Sequence, residues 1–227
     1  MCSKIIFAFM LIVFIILLVI YCTHKNKSEN FEDFDVFLVS MEKDKERREN
    51  VLKYIKPDYI YAVDGNKLNL DQLKKEGKIT KDTKMKRGEI GCFLSHIHLI
   101  EKALKNKKNV LILEDDVKFE KETLNNIRKA IKNIPKDCEF MFLGHNYYEK
   151  YEEKEQYKKE PIKMIFGTHA YFVNIKNITQ EKINKVYPIN RQYDVIGPSF
   201  FKSYVVLPKV CEVEGKFASY SNTQNIK

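Results

Sequence analysis

The chain predicts an α/β fold, a mixed sheet flanked by helices and preceded by one N-terminal transmembrane helix. Three observations lead there. Residues 110–116 read V-L-I-L-E-D-D, an aliphatic run followed by three carboxylates, the pattern of a buried central strand that delivers negative charge to the carboxyl edge of a sheet. Strand-like runs and helix-like runs then succeed one another along the rest of the chain. Finally, residues 5–22 (IIFAFMLIVFIILLVIYC) form an 18-residue stretch without a charge, within the roughly 17–25 residues that span a bilayer.

That stretch exceeds the roughly 7–15 apolar residues of a signal peptide. No A-x-A-like cleavage site follows at Tyr21-Cys22-Thr23, so it reads as an uncleaved, single-pass anchor over residues 1–22. A polar stem over residues 23–33 and one domain over residues 34–227 follow, the latter large enough to bury a core. The side of the membrane stays open. Lys25 and Lys27 after the helix outvote Lys4 before it and favour a cytoplasmic domain, whereas the sequons at Asn26 and Asn177 suit a lumenal one, the expected side for a eukaryotic or viral source.

The net charge of +9 rests on 40 Lys plus Arg, yet only five of these are Arg, and no motif interleaves basic and aromatic residues. A nucleic-acid partner is therefore not expected; attraction to an anionic membrane or ligand accounts for the charge. Cys92, Cys138 and Cys211 lie far apart without C-x-x-C or Cys/His ligand spacing, so neither a zinc site nor a disulfide framework is expected.

In order, residues 35–40 (DVFLVS) form a first strand. The charged run 41–50 turns it into a helix on which Arg47 and Arg48, by pattern alone, occupy a solvated face. Residues 59–63 make a second strand ending in the turn Asp64-Gly65, at the same edge as the first if the two are parallel. After a short helix near residues 70–75 and a basic loop, R-G-E-I-G-C-F-L-S-H (87–96) opens a long helix. Ile90, Phe93, Leu94, Ile97 and Leu104 make its core face, and Gly88, Gly91 and Ser95 a strip of small residues. Two glycines near a helix start, each costing about 1 kcal/mol against Ala, point to close approach of another backbone or a ligand. His96 lies off the apolar face, where a lone histidine is more often a surface group or a support behind a site than a ligand.

The V-L-I-L-E-D-D strand is expected to run into a helix reaching residue 131. Beyond it come a strand at 139–143, a mobile loop or surface helix at 146–160, strands at 162–166 and 170–173 around Gly167-Thr168-His169, and a helix at 178–186. The segment Asn190-Arg191-Gln192-Tyr193-Asp194, an apolar run at 204–207 and a polar tail close the chain.

Two readings of Glu114, Asp115 and Asp116 stay open on the stretch itself. The carboxylates cap the following helix, or they hold a divalent cation, Mg²⁺ or Mn²⁺, since adjacent buried carboxylates repel and oxygen ligands favour hard cations. A receiver domain, which also pairs carboxylates at a strand end, is excluded. It needs a phosphoacceptor Asp on a later strand, and no Asp occurs between Asp137 and Asp194.

Taken together, the segments resemble glycosyltransferase family 25, the lipopolysaccharide-biosynthesis and collagen galactosyltransferase group. The likeness rests on Arg47-Arg48 after the first strand, Ala62-Val63-Asp64-Gly65, Gly88-Glu89-Ile90-Gly91-Cys92 with Leu94-Ser95-His96, Leu113-Glu114-Asp115-Asp116, and Gly167-Thr168-His169-Ala170-Tyr171, in that order. It implies a GT-A-type nucleotide-binding sheet and transfer of a hexose, galactose or glucose, from a UDP-sugar to a glycan, glycolipid or glycoprotein with inversion.

In that resemblance Asp116 ligates Mn²⁺ or Mg²⁺, with Glu114 or Asp115 holding the metal's water or the ribose. Ser40 and Asp64 line the uridine beside Arg47. Gly88, Glu89, Ser95 and His96 lie next to the donor, with Thr168 and His169 as further substrate contacts. Asp194, after the turn at Pro188, is the general base, its bland alternative being a loop or cap carboxylate. Asn222 stands where family members carry Asp in a Ser-Asp-Ile element, a neutral and weaker metal ligand. That substitution leaves a second class of function in view, a degenerate member that binds nucleotide-sugar or a partner without turnover.

Overall fold

The computed structural model describes residues 13–15, 33–132, 134–145, 158–162 and 165–215. Of the expected anchor only residues 13–15 are described; they are helical and exposed, and the rest of the anchor and the stem up to residue 32 lie outside the described residues. Among the described residues no helix is long and apolar enough to cross a membrane. Residues 32–227 form a compact unit of their own.

That unit is a mixed α/β domain built on a seven-stranded sheet in the order β2-β1-β3-β7-β5-β8-β6. Strands β1 (Asp35–Val39), β2 (Tyr59–Tyr61) and β3 (Val110–Glu114) run parallel. β7 (Ala170–Val173) lies antiparallel between β3 and β5 (Phe140–Gly144), β8 (Ser203–Leu207) is parallel to β5, and β6 (Lys158–Ile162) closes the edge antiparallel to β8. The carboxyl ends of β1, β2, β3, β5 and β8 and the amino end of β7 therefore share one edge. The topology brings Ser40, Asp64, the acidic run 114–116, His145 and residues 167–169 to that edge, where open α/β sheets take ligands.

The sheet forms because its central strands are apolar on both faces. Every residue of β7 and β5, and all of β3 except Glu114, is buried. One face carries Phe37, Ile112, Phe142, Tyr171 and Val205 and packs on α3 (Arg87–Asn106), α5 (Gln180–Asn184) and α6 (Tyr193–Phe200) through Ile90, Phe93, Ile97, Ile100, Ile183 and Tyr193. The alternating residues Leu38, Leu111, Leu113, Met141 and Phe172 are buried on the opposite face. Val51 of α1 (Lys45–Leu52) and Ile127 and Ala130 of α4 (Thr123–Ala130) are buried outside the first cluster. A short helix, α2 (Leu70–Lys75), is capped by the Asn69 side chain.

Four expectations are corrected. After Asp116 the chain enters a two-residue strand, β4 (Val117–Lys118), which pairs with β9 (Glu212–Val213), and helix α4 begins only at Thr123. The acidic run thus caps no helix. The strand expected at 162–166 lies instead at Lys158–Ile162, where alternation is masked by lysines on an edge strand; residues 146–157 lie outside the described residues. The helix expected at 178–186 is shorter, Gln180–Asn184, because Thr179 caps it. His96, expected off the core face, is fully buried, because Tyr171 OH bonds its Nδ1 and its ring stacks on Tyr193, while Nε2 has no hydrogen-bond partner and lies 3.4 Å from Glu114 Oε1.

Candidate active site

The acidic turn is clamped by its backbone. Glu114 N–H donates to His169 O (2.8 Å), Asp115 N–H to Val39 O (3.2 Å), and Glu214 N–H to Asp116 O (2.7 Å), so β7, β1 and the segment after β9 each hold one residue of the run. The three side chains then face different partners. Arg47, on the first turn of α1, places Nη2 2.8 Å from Asp115 Oδ1 and 3.0 Å from Asp116 Oδ2. Its side chain is 13% exposed, so the solvated-face reading of this helix does not hold for Arg47. Arg48 is used otherwise: it donates to Met41 O (2.7 Å) and Glu42 O (3.2 Å) and fixes the bend after β1.

Glu114 turns the other way. Its Oε1 accepts from the Thr168 hydroxyl at 3.0 Å and faces His96 Nε2 at 3.4 Å, an ion-pair separation rather than a well-formed hydrogen bond. His96 Nδ1 meets Tyr171 OH at 2.8 Å, Tyr193 OH donates to Tyr171 OH at 3.2 Å, and the His96 ring stacks on Tyr193 with centroids 4.5 Å apart. A buried polar chain thus joins α6 to the acidic turn. Of its two tyrosines, Tyr171 closes the Gly167-Thr168-His169-Ala170-Tyr171 element, and Tyr193 has no sequence signal beyond its place beside Asp194.

These surroundings separate the three carboxyls. Burial alone would raise Glu114, but the facing His96 and the hydrogen bond from Thr168 outweigh it and hold the group down to about 2. Asp115 is pushed up to about 6 by burial, against the pull of Arg47 and a Ser40 hydrogen bond. Asp116 is pushed up to about 7 by burial and by the charge of Glu114, again against Arg47.

Asp194 lies on the first turn of α6, where Gly167 N–H reaches its Oδ2 at 3.5 Å. Burial raises its carboxyl, and the charge of Glu114 adds to the rise. Cys92 of α3 reports the same neighbourhood. Its thiol is raised well above the usual range by burial and then by the charges of Glu114, Asp194, Asp116 and Glu89.

The other sequence candidates are held by structural bonds. Ser95 Oγ donates to Gly91 O (2.7 Å) and accepts from Val63 N–H (2.8 Å), pinning the loop after β2 to α3. Asp64 caps its own turn, accepting from Asn66 N–H at 3.0 Å. Glu89 accepts from Lys86 N–H (2.8 Å) and from Gln192 Nε2 (3.0 Å), tying the start of α3 to α6. The glycines answer the close-approach question in favour of backbone. A Cβ on Gly91 would meet Val63 O at 2.8 Å, and one on Gly65 would meet Arg87 O at 2.2 Å and Gly88 N at 2.8 Å. His169 is buried with Nε2 3.2 Å from Cys211 O, burial lowering its basicity. Ser40 is buried at the end of β1, and Asn222 lies outside the described residues.

The donor set suits a hard cation. Asp116 Oδ1 is buried without a hydrogen-bond partner, an oxygen of the turn left for an incoming ligand. Among the described residues no group of three His, Cys, Asp or Glu side chains forms a ready cage. Mg²⁺ or Mn²⁺ needs none, since such ions commonly take one or two carboxylates and fill the rest with water and phosphate oxygens. A separate groove of about 410 Å³ beside Tyr187, Arg191 and Phe200 contains none of these carboxylates. The acidic turn is the chemically equipped position.

Sheet, edge and acidic turn define the class, a mixed α/β protein with a candidate ligand site at the carboxyl ends of its strands. Residues 34–196 match the model of glycosyltransferase family 25 (LPS biosynthesis protein), and the chain belongs to that family. It is similar to procollagen galactosyltransferase 2 of Mus musculus, 27% identical over 157 residues, covering 61% of this chain and 25% of that protein. A glycosyltransferase 25 family member of Aedes aegypti is 24% identical over 184 residues, 71% of this chain and 30% of that one. The probable inactive glycosyltransferase 25 family member 3 of Rattus norvegicus is 29% identical over 140 residues, 52% and 24% respectively. The chain spans about a quarter of the length of these curated relatives. A solved structure, A197 from STIV, aligns over 75% of this chain and 79% of that one with 10% identity and a TM-score of 0.34, a likeness that carries no argument.

Proposed function

We propose that the domain is a GT-A-type glycosyltransferase that moves a hexose, galactose or glucose, from a UDP-sugar to a hydroxyl of a glycan, glycolipid or glycoprotein, with inversion. The observation that carries this reading is the acidic turn Glu114-Asp115-Asp116, with the unpartnered Asp116 Oδ1, at the carboxyl edge of the sheet. Family membership and the names of the galactosyltransferase relatives support it.

In this proposal Asp116, assisted by Glu114 or Asp115 and by Asn222, holds Mn²⁺ or Mg²⁺. Such an ion, when bound, neutralises charge on the departing diphosphate. Thr168 and His96 fix the Glu114 carboxylate and keep it ionised. Asp194 accepts the proton of the acceptor hydroxyl at a carboxylate oxygen as that hydroxyl attacks the anomeric carbon, its raised basicity suiting the task. Residues 1–22 anchor the enzyme in a membrane as a single-pass helix.

A second reading, binding without turnover, is favoured by Asn222 in the place of an acidic residue and by Arg47, which already neutralises part of the turn. Incubating the detergent-solubilised chain with a panel of UDP-sugars, Mn²⁺ and candidate acceptors, and measuring released UDP, separates the two. Release with one donor supports the enzyme; binding of UDP-sugars with no release from any of them supports the second reading.

A further inference from the structure

Arg47 places its guanidinium against two carboxylates of the acidic turn. A single nitrogen, Nη2, lies within 3.0 Å of one oxygen on each of Asp115 and Asp116. The three groups are largely shut away from water, with side-chain exposures of 13%, 7% and 18%. One guanidinium leaves this pair of carboxylates one charge short of neutral, and it leaves Asp116 Oδ1 buried with no hydrogen-bond partner. A doubly charged ion would remedy both deficits.

The helix that carries Arg47 is held lightly. α1 has no side-chain N-cap, and Val51 is its one buried residue. Beside it Arg48 is committed to backbone carbonyls, so the two adjacent arginines have separate tasks, one in the bend and one on the carboxylates. Rotation of the Arg47 side chain needs no movement of the clamped acidic turn, whose backbone is bonded to β1, β7 and the segment after β9.

We infer that Arg47 is a resident counter-ion that a divalent metal displaces from Asp116, freeing the guanidinium to bind the diphosphate arriving with that metal. The inference rests on the metal reading proposed above and adds a role that neither the turn nor its carboxylates possess. Held in place, Arg47 weakens binding of metal alone; once displaced, its planar fork strengthens binding of metal together with nucleotide. Arg47 is thus a positioning residue that makes metal and nucleotide binding cooperative.

The test measures Mn²⁺ binding to the detergent-solubilised full chain by the loss of the free-ion electron paramagnetic resonance signal, with and without UDP. Wild type, Arg47→Met, Arg47→Lys and Asp116→Asn are compared, with circular dichroism to show that each is folded. Arg47→Met is expected to bind Mn²⁺ alone about tenfold more tightly than wild type, and to bind UDP in the presence of Mn²⁺ about tenfold more weakly. Arg47→Lys should fall between them, and it carries the comparison if Arg47→Met does not fold. Equal or weaker Mn²⁺ binding by a folded Arg47 variant overturns the counter-ion role while leaving the metal site standing. If wild type binds no Mn²⁺ with or without UDP, or if Asp116→Asn binds it as well as wild type does, the metal site itself falls and this role with it.

Discussion

Replacing Asp116 by Asn should make the protein more stable at pH 8 while abolishing turnover. The folded state raises the Asp116 carboxyl from 3.8 to about 7 through burial and the charge of Glu114. Below pH 3.8 the group is protonated in both folded and unfolded chains, and it contributes nothing to the pH dependence. Between there and about pH 7 the unfolded chain ionises first, so wild-type stability falls as pH rises, and above about pH 7 the loss is complete. A rise of about three pH units corresponds to an upper bound of about 4 kcal/mol, with about 2 kcal/mol expected once local relaxation spreads the charge. Asparagine keeps the shape and hydrogen-bonding capacity without the charge. Its advantage over wild type should grow through that pH window to about 2 kcal/mol, or about 4–8 °C in Tm for a domain of this size. Urea unfolding of both proteins at pH 4 and pH 8, with a chelator present, measures the difference directly. A variant no more stable than wild type at pH 8 would refute the claim that Asp116 is held at an electrostatic cost.

Glu114 predicts the opposite trend at low pH. Its depressed carboxyl, down to about 2, contributes stability that is present above about 4.5 and lost as pH falls towards 2, and a Glu114→Gln variant should lack that acid-side loss in urea titrations. Tyr171→Phe leaves His96 Nδ1 and Tyr193 OH facing a ring edge and should cost about 2 kcal/mol of unfolding free energy. Gly65→Ala forces a methyl against Arg87 O and should cost about 3 kcal/mol, read as a fall in urea midpoint; a neutral result would mean the loop and α3 separate easily. Asp194→Asn should lower turnover at least about 100-fold with UDP affinity unchanged, and retained turnover would remove Asp194 as the base.

How much of this was legible in the sequence depended on whether a residue's partner lay nearby in the chain. β3 and β7 could be placed because their apolar runs end abruptly, one in carboxylates and one after Gly167-Thr168-His169. The start of α3 was likewise marked by its glycines, and the close approach they foretold is to the loop after β2. What pattern could not supply was side-chain direction. Nothing in K-E-R-R-E-N distinguishes Arg47, buried on two carboxylates, from Arg48, bound to backbone carbonyls, because the difference lies in a turn more than 60 residues away. The burial of His96 is hidden from pattern for the same reason, since Tyr171, which bonds its Nδ1, and Tyr193, on which its ring stacks, lie more than 70 residues along the chain. The helix expected after Asp116 failed because β9, arriving from near residue 212, captures Val117 and Lys118 as a strand.

The clamping of the acidic turn separates what builds this edge of the domain from what reacts there. Each of its three residues is tethered by main-chain atoms to a different distant segment, and none of those tethers involves a carboxylate. Charge at Asp116 can therefore be lost or exchanged without loosening these main-chain tethers. A lineage carrying this turn can drift from catalyst to mere binder while still folding the same way, and a shared fold among its members is no guarantee of shared chemistry.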